Sequence, residues 1–182
     1  MFKHSENQLV KQSQRRISQA LIKLLATEKF AELTVTQICQ EAGVGRKTFY
    51  RNFDDKMSVI AFFLYDEMEV DRQENQAHNI QEAMLRWYRF IKQQQSIFRL
   101  LYQNNLMPQI QRMLKDLIHH HQGKIEAKMR ERDVHTKIDY FMNFTANTIY
   151  SNIELWISKD FAETPAELAE LTVAYLTGSV IK

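Results

Sequence analysis

Residues 43–56 read GVGRKTFYRNFDDK, which places two of the chain's four glycines, three aromatic rings and four basic side chains within fourteen positions. This mixture suits neither a core helix, which has no use for the charges, nor a flexible loop, which has no use for the rings. It suits contact with a polyanion. Arg46 and Lys47 can reach guanine acceptors or phosphates, and Thr48 can bond to either or touch a thymine methyl. Tyr50 offers a ring for sugar packing and a hydroxyl for phosphate. Arg51 extends the basic surface. Lys56 is expected in the first turn of the following helix, where free backbone N–H groups already favour a phosphate.

Other candidate chemistries are weaker. His119, His120 and His121 are consecutive, and consecutive helix positions point about 100° apart, so the three do not converge on one ion. Metal-binding pairs on helices usually sit at i and i+4, and a solvated helix end is the better reading. Cys39 falls at a position where small residues pack a helix, and a buried, inert thiol is expected there. The sequence contains no nucleophile elbow, no phosphate-cradling glycine loop and no spaced ligand set. The GVG at 43–45 is too short for a dinucleotide fingerprint. No enzyme activity, metal or cofactor is therefore expected.

Positioning these residues requires a scaffold, and composition indicates helices. The 182-residue chain is 45% hydrophobic and 25% charged, ordinary for a globular protein of one domain or two small ones. With only two prolines and four glycines it has long unbroken runs of helix formers. An all-α protein of about nine helices is expected. A single cysteine precludes an internal disulfide. The first residues lack the apolar stretch of a signal peptide, and no run of about 18 apolar residues suits a bilayer. A cytoplasmic protein without membrane partners is expected. Residues 1–56 carry ten Lys and Arg against six Asp and Glu, a net of +4, whereas the remainder carries fourteen against sixteen, a net of −2. A basic head on a slightly acidic body gives the head alone a reason to meet a polyanion.

Periodicity and caps predict the elements. A first helix runs from Lys11 to about Thr27, with Ile17, Leu21, Leu24 and Leu25 on one stripe and Arg15, Arg16 and Lys23 off it. Thr34-Val-Thr-Gln37 reads as a capping box for a second helix, Val35 to Ala42. Gly43 ends that helix in the left-handed conformation. A third helix starts at Gly45 or Arg46 and ends near Phe53, with Phe49 and Phe53 packing inward. Asp54-Asp55 cap a fourth that runs from Lys56 into the seventies. Further helices are expected over about 80–94, 96–103, from near Pro108 to Gly123, and 133–159. The last follows the Thr164-Pro-Ala-Glu167 start signal. A helix ending at Gly43, a short turn and a second helix two residues later make a helix-turn-helix, whose second helix lies in the DNA major groove.

Residues 34–56, TVTQICQEAGVGRKTFYRNFDDK, resemble the signature of the TetR family of bacterial transcriptional regulators. The resemblance implies a DNA-binding domain over residues 1–56 and a helical effector-binding and dimerisation domain over 57–182. It also implies a homodimer that reads a palindromic double-stranded operator and a small-molecule effector of unknown identity, most simply one that releases a repressor. An activator, or a structural DNA-binding protein of the nucleoid or division machinery, is the alternative on the same fold. Carried over position by position, the DNA contacts fall on Thr36, Arg46, Lys47, Thr48, Tyr50, Arg51 and Lys56. The segment departs from the family's habit at Gly45, where a serine cap is usual, and at Asn52, where an aromatic residue or histidine is frequent.

The stretch ELWISKDFAETPAELAELTVAYL resembles a C-terminal variety of the family in which the last two helices of each subunit form a four-helix interface. This implies an interface of Thr145, Thr148, Asn152, Trp156, Leu168, Leu171, Thr172 and Tyr175, with Trp156 and Tyr175 as anchors. The family's ligand cavity implies a pocket among Phe62, Phe63, Tyr65, Trp87, Tyr88, Phe98, Tyr102, Met113, Phe141 and Phe144, although aromatic stripes at helical spacing are more often plain core.

Overall fold

The computed structural model describes residues 7–74, 77–120 and 138–178. Among them lie nine helices: α1 (Gln8–Leu25), α2 (Val35–Ala42), α3 (Arg46–Asn52), α4 (Lys56–Glu74), α5 (Ile80–Gln93), α6 (Gln95–Gln103), α7 (Met107–His120), α8 (Ile138–Ser158) and α9 (Pro165–Thr177). The chain is all-α, as expected. It divides into two compact units, Met1–Gln76 and Ala77–Lys182.

Local chemistry sets most helix boundaries. Thr34 accepts from the amide of Gln37 while the Gln37 side chain accepts from the amide of Thr34, the reciprocal cap expected for α2. Thr164 and Glu167 repeat this at α9, with Pro165 in the first turn. The two Thr164 donors hold the Glu167 carboxyl below its usual range. Asp55, rather than Asp54, caps α4: its Oδ1 accepts from the amide of Ser58 at 2.7 Å, and its own amide donates to Ser58 Oγ at 3.1 Å. The first helix begins three residues earlier than expected because Asn7 caps it, accepting from Leu9.

Three helices end in the same way. The α2 end closes with Gly43 N–H on Gln40 and Val44 N–H on Cys39, with Gly43 at φ 62°. At the α6 end, Asn105 takes the left-handed position, and Leu106 N–H reaches Leu101. At the α8 end, Asp160 takes it, and Phe161 N–H reaches Trp156. Each satisfies carbonyls that a helix terminus otherwise leaves open, and Phe161 adds the apolar contact that accompanies such an end, its ring 5.0 Å from that of Trp156.

In the first unit α1 packs on α2, α3 and α4. Ile17, Leu21 and Leu25 of α1, Ile38 and Ala42 of α2, and Phe49 of α3 form its buried centre. A ladder of rings, Phe49–Phe53 at 5.8 Å and Phe53–Phe62 at 5.7 Å, carries that centre from α3 to α4. In the second unit α5 packs on α9, α7 on α8, and α8 on α9 and α6. Its core holds a buried polar chain. Tyr88 shares a 2.7 Å hydroxyl bond with Thr172, whose Oγ1 also accepts from Asn152 Nδ2 at 3.0 Å. Burial pushes the Tyr88 phenol up, with the two side-chain bonds opposing it. The chain joins α5, α9 and α8 at one point, and because the two hydroxyls and the Asn152 amide nitrogen are partnered it fixes their register at little cost.

Candidate nucleic-acid interface

The recognition surface is built by an alternation within seven residues. On α3, Phe49 and Asn52 point into the unit while Arg46, Lys47, Tyr50 and Arg51 point outward. Thr36 on α2 is exposed and Thr48 half-buried. The ring of Phe49 is completely buried and meets Tyr50 edge-on at 5.3 Å, so the exposed tyrosine rests on the core residue before it. Arg46 lies over the Tyr50 ring, 5.9 Å from its centre. That distance allows a weak cation–π attraction which orders the guanidinium before any ligand arrives. Gly45 caps α3 without a side-chain bond, so the departure from a serine leaves the start of this helix held only by backbone. Asn52, the second departure, is buried and donates to the Thr48 carbonyl at 2.8 Å. It is therefore part of the scaffold of the motif. Cys39 is buried as expected, and burial raises its thiol against the opposing charge of Arg46.

Lys56 departs from its expected role. Its ammonium donates to the Phe30 carbonyl at 2.6 Å and to the Leu33 carbonyl, and sits 4.6 Å from the centre of the Phe30 ring. Burial pulls its pKa down. The cation thus ties the start of α4 to the segment joining α1 and α2, with two of its donors on backbone carbonyls. Lys56→Ala should leave two loop carbonyls without their donor and cost about 1–3 kcal/mol. A urea denaturation midpoint reads that loss, and the salt dependence of DNA binding should not change. A flatter salt dependence would return Lys56 to the contact set.

The residues expected at an interface or in a pocket fall in different surroundings. Trp156, assigned to a subunit interface, is 1% exposed. Its ring stands edge-on to Tyr88 at 5.7 Å, and its Nε1 donates to the Glu163 carbonyl at 3.0 Å. Leu168 and Thr172 are likewise buried inside the subunit. Of the residues assigned to a pocket, Phe144 is 57% exposed, and Tyr65 and Tyr102 also face outward. Phe62 belongs to the ring ladder of the first unit. Phe63, Tyr88 and Phe98 are buried, while Trp87, Met113 and Phe141 are half-buried. The remaining interface residues divide as Thr145, Thr148 and Asn152 half-buried and Leu171 and Tyr175 exposed. Leu155, not among the expected interface residues, is 54% exposed beside inward-facing Trp156. Its signal was its spacing from Phe144 and Thr148, eleven and seven positions on.

Among the described residues no group of three His, Cys, Asp or Glu side chains is placed to hold a metal. The His119–His121 run lies outside the residues whose side chains are described. No helix among the described residues is long and apolar enough to cross a membrane.

Comparison with known proteins agrees with this architecture. Residues 17–61 match the N-terminal pattern of the bacterial regulatory proteins of the tetR family, and residues 78–178, more than half of the chain, match a transcriptional regulator C-terminal region of the same family. No curated protein matches the chain. Among solved structures, Lin0861 from Listeria innocua is similar with a TM-score of 0.73 at 16% identity, over 99% of this chain and 96% of that one. A TetR transcriptional regulator from Streptococcus agalactiae gives 0.62 at 16%, over 92% and 95% of the two chains. The fatty acid degradation regulator FadR from Bacillus halodurans gives 0.62 at 17%, over 98% of each. At these identities the likeness is one of fold. With both regions of the chain matched and a helix-turn-helix carrying its cations outward, the protein belongs to the tetR family and is a transcriptional regulator of that family.

Proposed function

We propose that the protein is a homodimeric repressor in which residues 1–56 meet a palindromic operator and residues 57–182 receive a small-molecule effector and hold the second subunit. It has no enzymatic role and acts in the cytoplasm. The observation that carries the DNA-binding part is the sorting of α3 into a buried side, Phe49 and Asn52, and an exposed side, Arg46, Lys47, Tyr50 and Arg51. With Thr36 and Thr48, these are the proposed DNA contacts. Counterion release then supplies most of the affinity, and binding falls steeply with salt.

Dimerisation is supported by an exposed apolar stripe. Tyr140, Phe144 and Leu155 are exposed and Thr148 half-buried along one side of α8, and Leu171 and Tyr175 are exposed on α9. Apolar side chains aligned this way on two neighbouring helices are what a symmetric helical interface covers. Leu155→Asp combined with Leu171→Asp should yield folded monomers, seen by sedimentation as a halved mass with unchanged helical circular dichroism. A dimer surviving both changes would place the interface elsewhere.

Effector binding is supported by Trp87 Nε1 on α5, Gln109 Oε1 on α7 and Thr145 Oγ1 on α8, which are buried without a hydrogen-bond partner. Such atoms are rare, and each costs about 1–3 kcal/mol, a cost that a bound polar ligand would relieve. The effector acts by binding the form with low operator affinity better than the other. Mapping the bound sites in cells tests the reading. A few sites beside genes whose transcription rises when the protein is removed are expected. Many scattered sites without transcriptional change would overturn it.

A further inference from the structure

Arg15 and Arg16 are neighbouring cations on the exposed side of α1, and the structure sends them in opposite directions. Arg15 pairs with Asp66 on α4 through two bonds of 2.7 and 3.0 Å. Arg16 instead reaches the bend between α2 and α3. Its Nη2 donates to the Ala42 carbonyl at 2.7 Å and the Gly43 carbonyl at 3.2 Å. Those groups lie at the α2 C-terminus, where unpaired carbonyls concentrate the negative end of the helix dipole and a cation is favoured.

The glycine is required twice at this point. Its φ is 62°, and a Cβ built on it would lie 2.8 Å from Arg16 Nη2. The bend has two backbone bonds of its own, Gly43 N–H to Gln40 and Val44 N–H to Cys39. The seven-residue helix that follows starts at Gly45 with no side-chain cap. Local bonding therefore holds the start of α3 weakly, and the guanidinium from α1 adds a long-range tie at the bend. The stretch matched to the tetR pattern begins at residue 17, so it includes the accepting carbonyls of Ala42 and Gly43 and leaves out the donor, Arg16.

We propose that Arg16 is a positioning residue for DNA recognition: by clamping the α2 C-terminus it sets the direction in which α3 presents Arg46, Lys47 and Tyr50, and it makes no contact with DNA. This rests on the reading that α3 meets DNA. Although exposed, Arg16 uses Nη2 on protein carbonyls, and its effect on binding passes through the bend.

The test uses the full-length protein and the duplex that the wild type enriches from a random-sequence pool. Arg16→Ala should bind that duplex about tenfold more weakly, the loss typical of one disturbed base contact. The slope of log affinity against log salt should stay unchanged, because no phosphate contact is lost. Amide hydrogen exchange at Gly43 and Val44 should accelerate. Arg16→Lys, which keeps a charged donor, should recover part of both losses, and it decides the matter if the alanine variant does not fold. Wild-type affinity in Arg16→Ala would overturn the proposal. So would a slope flattened by about 0.9 per subunit, the mark of a phosphate contact. If the wild type enriches no duplex, the DNA-binding reading fails, and the exchange rates at Gly43 and Val44 still decide whether Arg16 holds the bend.

Discussion

Trp156→Ala should destabilise the protein by about 3–5 kcal/mol, the usual cost of emptying a buried indole site. Whole domains are stable by only about 5–15 kcal/mol, so this one change removes a large share. The size of the effect follows from the surroundings of the indole. Trp156 touches Tyr88 and Phe161 ring to edge, and its N–H satisfies the Glu163 carbonyl. Lys92 and Arg99 lie over the neighbouring Phe161 ring at 5.4 and 5.2 Å, and Lys92 donates to the Phe161 carbonyl. Truncation would open a cavity under the turn that joins α8 to α9 and orphan a carbonyl. Urea denaturation at several protein concentrations separates two origins for the loss. A defect inside the subunit persists at every concentration, whereas a lost intersubunit anchor would be offset as concentration rises. The structure requires the first behaviour.

Replacing both Arg46 and Lys47 with alanine should abolish operator retention while leaving the melting temperature within a degree or two. Both side chains are exposed on α3, and surface changes away from caps and cores usually shift stability by less than about 0.5 kcal/mol. Their effect on binding is of a different order. The proposed dimer loses four cations, and each phosphate contact among them contributes about 0.9 to the salt slope, so the slope should flatten by up to about 3.6. Any of the four that reads a guanine edge removes about 1–3 kcal/mol of discrimination instead. Binding curves at several salt concentrations, on the enriched duplex and on an unrelated one, distinguish these contributions. A double variant that binds like the wild type would remove α3 from the interface.

What the sequence made legible and what it hid differ by distance along the chain. Thr34 with Gln37, Thr164 with Glu167 and Gly43 act within three or four residues, so their caps and the bend could be placed from local pattern alone. The outward set on α3 followed from the same short-range alternation. Partners that lie far away along the chain were not legible in it. Lys56 reaches carbonyls 26 and 23 positions back, Arg16 reaches 26 and 27 ahead, and Tyr88 meets a threonine 84 positions away. Nothing near Lys56 distinguishes a cation that serves phosphate from one that serves a loop.

The α8 errors have a second cause. Apolar residues such as Phe141, Met142, Phe144, Ile149, Tyr150, Ile153, Leu155 and Trp156 are spread around the helix, and only two charged residues, Asp139 and Glu154, mark the solvent side. Sequence therefore indicated a helix there without indicating which face it buries. Adjacent Leu155 and Trp156 then went to opposite faces, one exposed and one in the core. The same ambiguity let Phe144 pass for a pocket residue.

The central claim is that the cations of α3 are presented twice per assembly, at a spacing that matches the double helix. Hydroxyl-radical footprinting of the wild-type protein on its enriched duplex tests this most directly. Two protected patches about one helical turn, 34 Å, apart are expected, both lost in the Arg46→Ala, Lys47→Ala double variant. A single patch, or two patches that persist in that variant, would contradict it.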